Sequence, residues 1–230
     1  MPQTVRQQEI LEAIIEEHIK RASPVSSQVL GEARDFGLSS ATLRSEMANL
    51  TEQGFLAQPH TAAGRVPTDK GYRFYVDSIL EEQKGKRSFE RLLQEMEDEI
   101  QILQSLTRLL RASASGLTIA YLSDREFFWK EGWEEVLEEP EFEEHETVES
   151  FLRFLQDLEN AFAQEHLSAG ELQVYIGKEN PFSPVEDFSI IVSGLRLPKR
   201  QTGVLALAGP KRMAYPENIG ALRQLLWYFQ

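Results

Sequence analysis

The sequence predicts an α+β protein in which three short helices and a hairpin precede a connecting helix and a second domain built on a small antiparallel sheet. Three observations carry that expectation. Apolar residues recur every three or four positions through roughly the first fifty residues, the spacing of helices buried on one face. Glycine and proline interrupt the pattern between Gly54 and Pro67. From "ELQVYIG" onward, short β-rich runs alternate with turn residues.

Each element has its own local reason. Thr4 to Ile19 places Val5, Ile10 or Leu11, Ile14 or Ile15, and His18 or Ile19 at helical spacing with Glu and Gln between them, and Pro24 is expected to break this first helix. In "PVSSQVLGEARDFG", Ser26 or Ser27 caps a second helix and Gly37 supplies a left-handed stop after Phe36. In "LSSATLRSEMANLTEQG", Ser39 or Ser40 caps a third, with Leu43, Met47 and Leu50 facing inward and Gly54 at its end. Phe55 to Val76 reads as a two-stranded hairpin around "HTAAGRVPTDKG", because Gly64 and Pro67 oppose a helix. Helix, helix, helix, hairpin is the order of a winged helix-turn-helix, assigned to residues 1–80.

A charged helix is expected over 78–112, with residues 81–112 as the connector. Its stripe, Leu92, Met96, Ile100, Leu103, Leu106 and Leu110, is long enough for a packed seam. From Lys130 to Glu159 there are 12 acids and, after Lys130, only Arg153; Leu152, Phe154, Leu155 and Leu158 still recur helically, so an acidic turn leads into a helix from Thr147 to His166. The runs "ELQVYIG", "FSIIVSGLRL" and "TGVLALAGP" predict three strands, and "YPENIGALRQLLWYF" a closing helix. Residues 113–230 form the second domain.

Composition narrows the function classes. The 230 residues are 41% hydrophobic with no cysteine, which excludes disulfides, thiolate metal sites and cysteine nucleophiles. No apolar run approaches the roughly 20 residues of a membrane span, and "MPQTVRQQEI" has no secretory apolar core, so a cytoplasmic protein is expected. The net charge of -13 argues against a nucleic-acid partner until its distribution is counted. Residues 1–80 carry 8 Lys/Arg against 10 Asp/Glu, a net of -2, which leaves -11 for the remaining 150 residues. Phosphate binding draws on Lys and Arg, and Ser39 to Tyr75 holds Arg44, Arg65, Lys70 and Arg73 against three acids.

The third helix suits a DNA groove. Its N-terminal amides favour phosphate. Ser39, Ser40 and Thr42 are short donors, Ala41 fits a thymine methyl, and Arg44 reaches a guanine edge or a phosphate. Ser39 and Ser40 equally cap a helix in any protein, and the two roles are compatible. In the hairpin, His60, Thr61, Arg65, Lys70 and Arg73 would follow the backbone, with Arg65 at the tip; an ordinary surface loop is the competing reading. Tyr72, Phe74 and Tyr75 are expected to pack on the helices.

At these residues the chain resembles the heat-inducible transcription repressor HrcA family. "LSSATLRSEMANLTEQGFLAQPHTAAGRVPTDKGYRFYVD" carries the likeness, and "WEEVLEEPEFEE", "VYIGKENP" and "GVLALAGPKRMAYP" extend it into a region resembling that family's GAF-like domain. The resemblance implies a dimeric repressor that binds the inverted-repeat CIRCE operator of chaperone genes as double-stranded DNA, with the GroEL chaperonin as a partner and no cofactor. It implies DNA contact at Ser39, Ser40, Thr42, Arg44 and Ser45 in the recognition helix and at His60, Thr61, Arg65, Lys70 and Arg73 in the hairpin. Ser45 stands where the family usually has asparagine. "SASGLTIAYLSDREFFWKEGWEEVLEEPEF" runs almost directly to the segment that follows the family's large central block, so the GAF-like domain is reduced and much of that block is missing.

Enzymatic readings lack a motif. His18, His60, His145 and His166 show no paired-ligand spacing, and neither a phosphate-binding glycine loop nor a nucleophile elbow is present. "FEEHE" reads as a solvated face and "GPKRM" as turn chemistry between a strand and a helix. The alternatives to a repressor are a protein-interaction module and a small-molecule sensor that keep the fold without operator-specific binding.

Overall fold

The computed structural model describes residues 4–59, 64–82, 98–164, 167–197 and 201–226. The chain divides into two compact units, Met1–Glu81 and Glu82–Gln230.

The first unit opens with three helices, α1 (Val5–Arg21), α2 (Ser27–Ala33) and α3 (Ser40–Glu52). Each starts on a hydroxyl that accepts a backbone N–H: Thr4 from Gln7 at 3.2 Å, Ser26 from Val29 at 3.2 Å and Ser39 from Thr42 at 3.1 Å. Such caps are worth about 1 kcal/mol each. Ile10, Leu11, Ile14, Leu30, Leu43, Met47 and Leu50 are buried between the helices. Two ends differ from expectation. α1 runs on to Arg21 and stops at a left-handed Ala22, ahead of Pro24. α2 ends at Ala33, where Arg34 turns extended, so Gly37 does not terminate it.

The hairpin is much shorter than its sequence suggests. Strands β1 (Leu56–Ala57) and β2 (Val66–Pro67) pair antiparallel, Leu56 with Pro67 and Ala57 with Val66. Arg65 then joins Val25 through two backbone hydrogen bonds of 2.9 Å. That approach needs glycine at position 64, where a Cβ would lie 2.8 Å from the Val25 carbonyl oxygen.

Past Pro67 the predicted second arm of the hairpin is helical: α4 spans Asp69–Glu82. Tyr72, Tyr75, Val76 and Ile79 sit at i, i+3, i+4 and i+7 and all are buried, so the helical period outweighs the β preference of the aromatics. Thr68 Oγ1 accepts the Gly71 N–H at 3.2 Å, and Asp69 in the first turn suits the positive end of the helix. Lys70 and Arg73 therefore belong to a helix and not to a wing strand.

The second unit contains α5 (Glu99–Arg111), β3 (Leu117–Leu122), β4 (Phe127–Glu131), α6 (Trp133–Leu137), α7 (His145–Gln164), β5 (Leu172–Ile176), β6 (Phe188–Arg196), β7 (Thr202–Pro210) and α8 (Tyr215–Leu226). The strands form one antiparallel sheet in the order β4-β3-β7-β6-β5. Phe151, Phe154, Leu158 and Phe162 of α7 pack on Ile119, Tyr121, Phe188, Ile190, Val204 and Ala206. On the opposite face α5 lies against β3 and β4, and α8 against α5 and β6. With both faces covered, β3, β6 and β7 are buried almost throughout, the condition under which a strand loses its alternating pattern.

One expectation is corrected here. The three predicted strands are β5, β6 and β7, but "LTIAYL" and "FFWKE" supply two more, joined by the short turn Ser123–Glu126. The second half of the leucine stripe, expected as a packed seam, is used by the unit itself: Leu103, Leu106 and Leu110 are buried between α5 and the sheet. Leu92 and Met96 lie outside the described residues. Arg212 of "GPKRM" donates to Glu139 and Glu141 of the acidic turn. His145 of "FEEHE" is 87% exposed and pairs with Glu149 at 3.3 Å. Among the described residues, no helix is long and apolar enough to cross a membrane.

Candidate nucleic-acid interface

The candidate surface is the outer face of α3. Leu43, Met47 and Leu50 bind the helix to its base, which turns Ala41, Arg44, Ser45, Asn49 and Glu52 to the exposed side. At 100° per residue these five positions fall within one face. Arg44, Ser45 and Asn49 make no side-chain hydrogen bond or ion pair with any described residue, so their donors and acceptors stay available to a ligand. Asn49, one turn beyond Ser45, is absent from the sequence-predicted set; its place at i+4 from Ser45 on the polar face was the available signal.

The hydroxyls at the start of α3 are occupied by the fold. Ser39 Oγ caps the helix and lies 2.9 Å from Thr42 Oγ1. Ser40 Oγ lies 3.2 Å from Ser27 Oγ and ties α3 to the start of α2. These contacts hold the helix N-terminus in register with α2; each hydroxyl pair uses one of its two O–H groups internally, which leaves the other to donate to a phosphate or water.

Gln7 braces the other end, donating to Glu46 at 3.0 Å and accepting from Gln53 at 3.3 Å. Arg65 Nε donates to Thr51 Oγ1 at 3.0 Å and Nη1 to the Gly64 carbonyl at 3.3 Å. That arginine is half-buried and anchored to α3, with the hairpin tip, including His60 and Thr61, outside the described residues.

Lys70 and Arg73 are placed differently from Arg44. Lys70 Nζ donates to the Gln53 carbonyl at 2.7 Å and sits 4.3 Å from the centre of the Phe55 ring. Arg73 lies 3.5 Å from Asp77. Both line a groove of about 350 Å³ with Glu12, Phe55, Phe74 and Asp77. The structure brings five predicted residues, Ser39, Ser40, Thr42, Arg44 and Ser45, together on α3 and sets Arg65 beside its C-terminal half. It sets Lys70 and Arg73 on α4.

With this geometry in hand, the comparisons decide the family. The model of the HrcA protein C-terminal domain matches residues 75–219, more than half of the chain. The chain belongs to the HrcA family. A heat-inducible transcription repressor HrcA of Natranaerobius thermophilus is 29% identical over 324 aligned positions, covering 96% of this chain and 94% of that protein. The 324 positions exceed the 230 residues of the chain by 94, so at least that many face a gap, in agreement with a shortened HrcA member. The HrcA of a Thermoanaerobacter species, strain X514, is 56% identical over 80 residues, which is 35% of this chain and 23% of that protein. A solved structure described as a hypothetical protein shares the fold with a TM-score of 0.78 at 19% identity, over 98% of this chain and 96% of the other. The curated HrcA relatives are transcription repressors and not enzymes.

Proposed function

We propose that this HrcA member is a heat-inducible transcription repressor whose first unit is a winged helix-turn-helix that reads operator DNA with α3. The unengaged face Arg44, Ser45 and Asn49, exposed on a helix capped and braced at both ends, is the observation that carries the reading. Arginine pairs with guanine edges and asparagine with adenine in a major groove, while the hydroxyls of Ser39, Ser40 and Thr42 and the guanidinium of Arg65 meet phosphates. The short β1–β2 hairpin is the wing, with His60 and Thr61 toward its tip. Lys70 and Arg73 contribute longer-range positive potential from α4. The acidic second unit, a reduced GAF-like domain, repels DNA and confines contact to the first.

The target is an inverted repeat of the CIRCE type upstream of chaperone genes, bound by a homodimer, because two half-sites on a dyad call for two recognition helices on a two-fold axis. The GroEL chaperonin is the proposed partner that favours the active state, in the cytoplasm. A gel-shift titration with a CIRCE-type repeat against scrambled DNA of equal length tests the reading. Tighter binding to the repeat, with a log-affinity that falls linearly with log salt, is the expected outcome. Equal weak binding to both sequences would sink it.

A further inference from the structure

We propose that Thr51 is a positioning residue for operator binding: its hydroxyl, fixed on the backbone of α3, holds the Arg65 guanidinium ready for a phosphate. The proposal rests on the functional reading above, in which Arg65 meets the DNA backbone.

Thr51 Oγ1 donates to the Met47 carbonyl one turn earlier at 2.8 Å, the back-bond that a helical threonine readily makes. With its proton committed there, the oxygen faces any further partner as an acceptor. That partner is Arg65, whose Nε donates to it at 3.0 Å, and a guanidinium, which only donates, suits such an oxygen. The other end of the residue is held as firmly. The Arg65 amide and carbonyl both bond Val25 at 2.9 Å, an approach that Gly64 permits. A long side chain is therefore tied by its backbone to the segment between α1 and α2 and by Nε to α3.

This anchoring leaves the far end of the fork for a ligand. Nη1 reaches the Gly64 carbonyl at 3.3 Å, and Nη2 bonds to no described residue. A guanidinium held in this way meets a phosphate without first having to be ordered by the DNA. Ordering a rotamer-rich side chain only on binding costs about two- to tenfold in affinity, and that is the share the Thr51 hydroxyl contributes. Thr51 acts through Arg65 and need not touch DNA.

The test is a double-mutant cycle on the full chain, read by operator titration at several salt concentrations. Thr51→Val keeps the β-branched shape and removes the hydroxyl. It is expected to weaken operator binding by about two- to tenfold and to keep the native salt slope, because the guanidinium still reaches its phosphate once bound. In an Arg65→Ala background the same substitution should change the affinity by less than about twofold, since the two residues act as one unit. Thr51→Ser, which restores the hydroxyl, should bind as the native chain does. If circular dichroism shows Thr51→Val unfolded, Thr51→Ala takes its place in the cycle. With native binding specific for the operator, any of four results overturns this proposal alone: no loss on removing the hydroxyl, a loss of equal size in both backgrounds, a loss with Thr51→Ser, or an Arg65→Ala chain that binds as tightly as the native one. A native chain that binds operator and scrambled DNA alike overturns the functional reading and this proposal together.

Discussion

Gly71 offers the sharpest test of how the first unit is packed. In a helix an alanine is intrinsically better than glycine, by about 1 kcal/mol at an interior position and by no more than that in the first turn of α4, where Gly71 lies, so from helix propensity alone Gly71→Ala would stabilise. The tertiary structure reverses the sign. A Cβ at position 71 would lie 2.4 Å from the Phe55 carbonyl oxygen and 3.6 Å from Pro67 Cβ. To reach ordinary contact, α4 and the start of β1 must part by roughly 1 Å, an overpacking cost of about 1–3 kcal/mol. The same carbonyl accepts the Thr68 N–H at 3.0 Å and the Thr68 hydroxyl at 3.1 Å, and loosening them costs about 1 kcal/mol more. Set against the helix gain, the net is about 2 kcal/mol of destabilisation, which for a unit of this size lowers its melting temperature by roughly 10 °C. The assay uses an accident of composition: Trp129, Trp133 and Trp227 all fall in the second unit. Far-ultraviolet circular dichroism should therefore show the first-unit helices melting earlier while tryptophan fluorescence holds its midpoint. A dichroism midpoint unchanged or raised would refute the packing argument.

Other outcomes follow from the α3 face and the ion pairs. Arg44→Ala and Asn49→Ala should each weaken operator binding by about 1–3 kcal/mol and relax preference at one base pair, read by competition with single-base operator variants; a uniform loss across variants would assign the side chain to phosphate. Arg65→Ala should weaken all sequences alike and make the log-affinity against log-salt slope shallower by about 1, and an unchanged slope would show that its guanidinium serves Thr51 alone. The Glu17 carboxyl is held below the usual carboxylate range by the Arg21 guanidinium at 2.8 Å, with Lys20 at 3.2 Å adding to it against the opposing effect of burial. A depressed folded value means the stabilisation is complete above the ordinary glutamate range and disappears as pH falls through the lowered value. Glu17→Gln should cost less than about 1 kcal/mol at neutral pH, since both cations are half exposed or more. The difference from the native chain should vanish in acid; a gap that persists at low pH would place its origin elsewhere.

Much of this protein was legible along the chain, because the deciding interactions are local. Capping hydroxyls at Thr4, Ser26 and Ser39 act within three residues, and the apolar spacing of α1 and α3 shows the buried side without reference to a partner. β6 and β7, buried almost throughout, announce themselves as β-rich, mainly apolar runs. The α3 residues Ser39 to Ser45 are read from the same local pattern, whereas Asn49 joins their exposed face only through the helical turn. What the local pattern left undecided were contests between neighbours in space. Tyr72 and Tyr75 suit a strand as well as a helix, and only their burial, with Tyr72 beside His18 of α1, makes the helical period prevail. "LTIAYL" and "FFWKE" needed β7 and α5 to become two of the five strands of the sheet.

Chemistry at a distance was the larger gap. Residue order determined that Arg44, Arg65, Lys70 and Arg73 share a basic stretch. Tertiary structure alone decided that Arg44 meets no hydrogen-bonding or ionic partner among the described residues, that Arg65 is tied to Thr51, that Lys70 bonds the Gln53 carbonyl and that Arg73 pairs with Asp77, since each outcome depends on which backbone and side-chain atoms the fold sets within hydrogen-bonding reach. The leucine stripe makes the same point: its spacing promised an apolar face, and the fold decides that the sheet covers Leu103, Leu106 and Leu110.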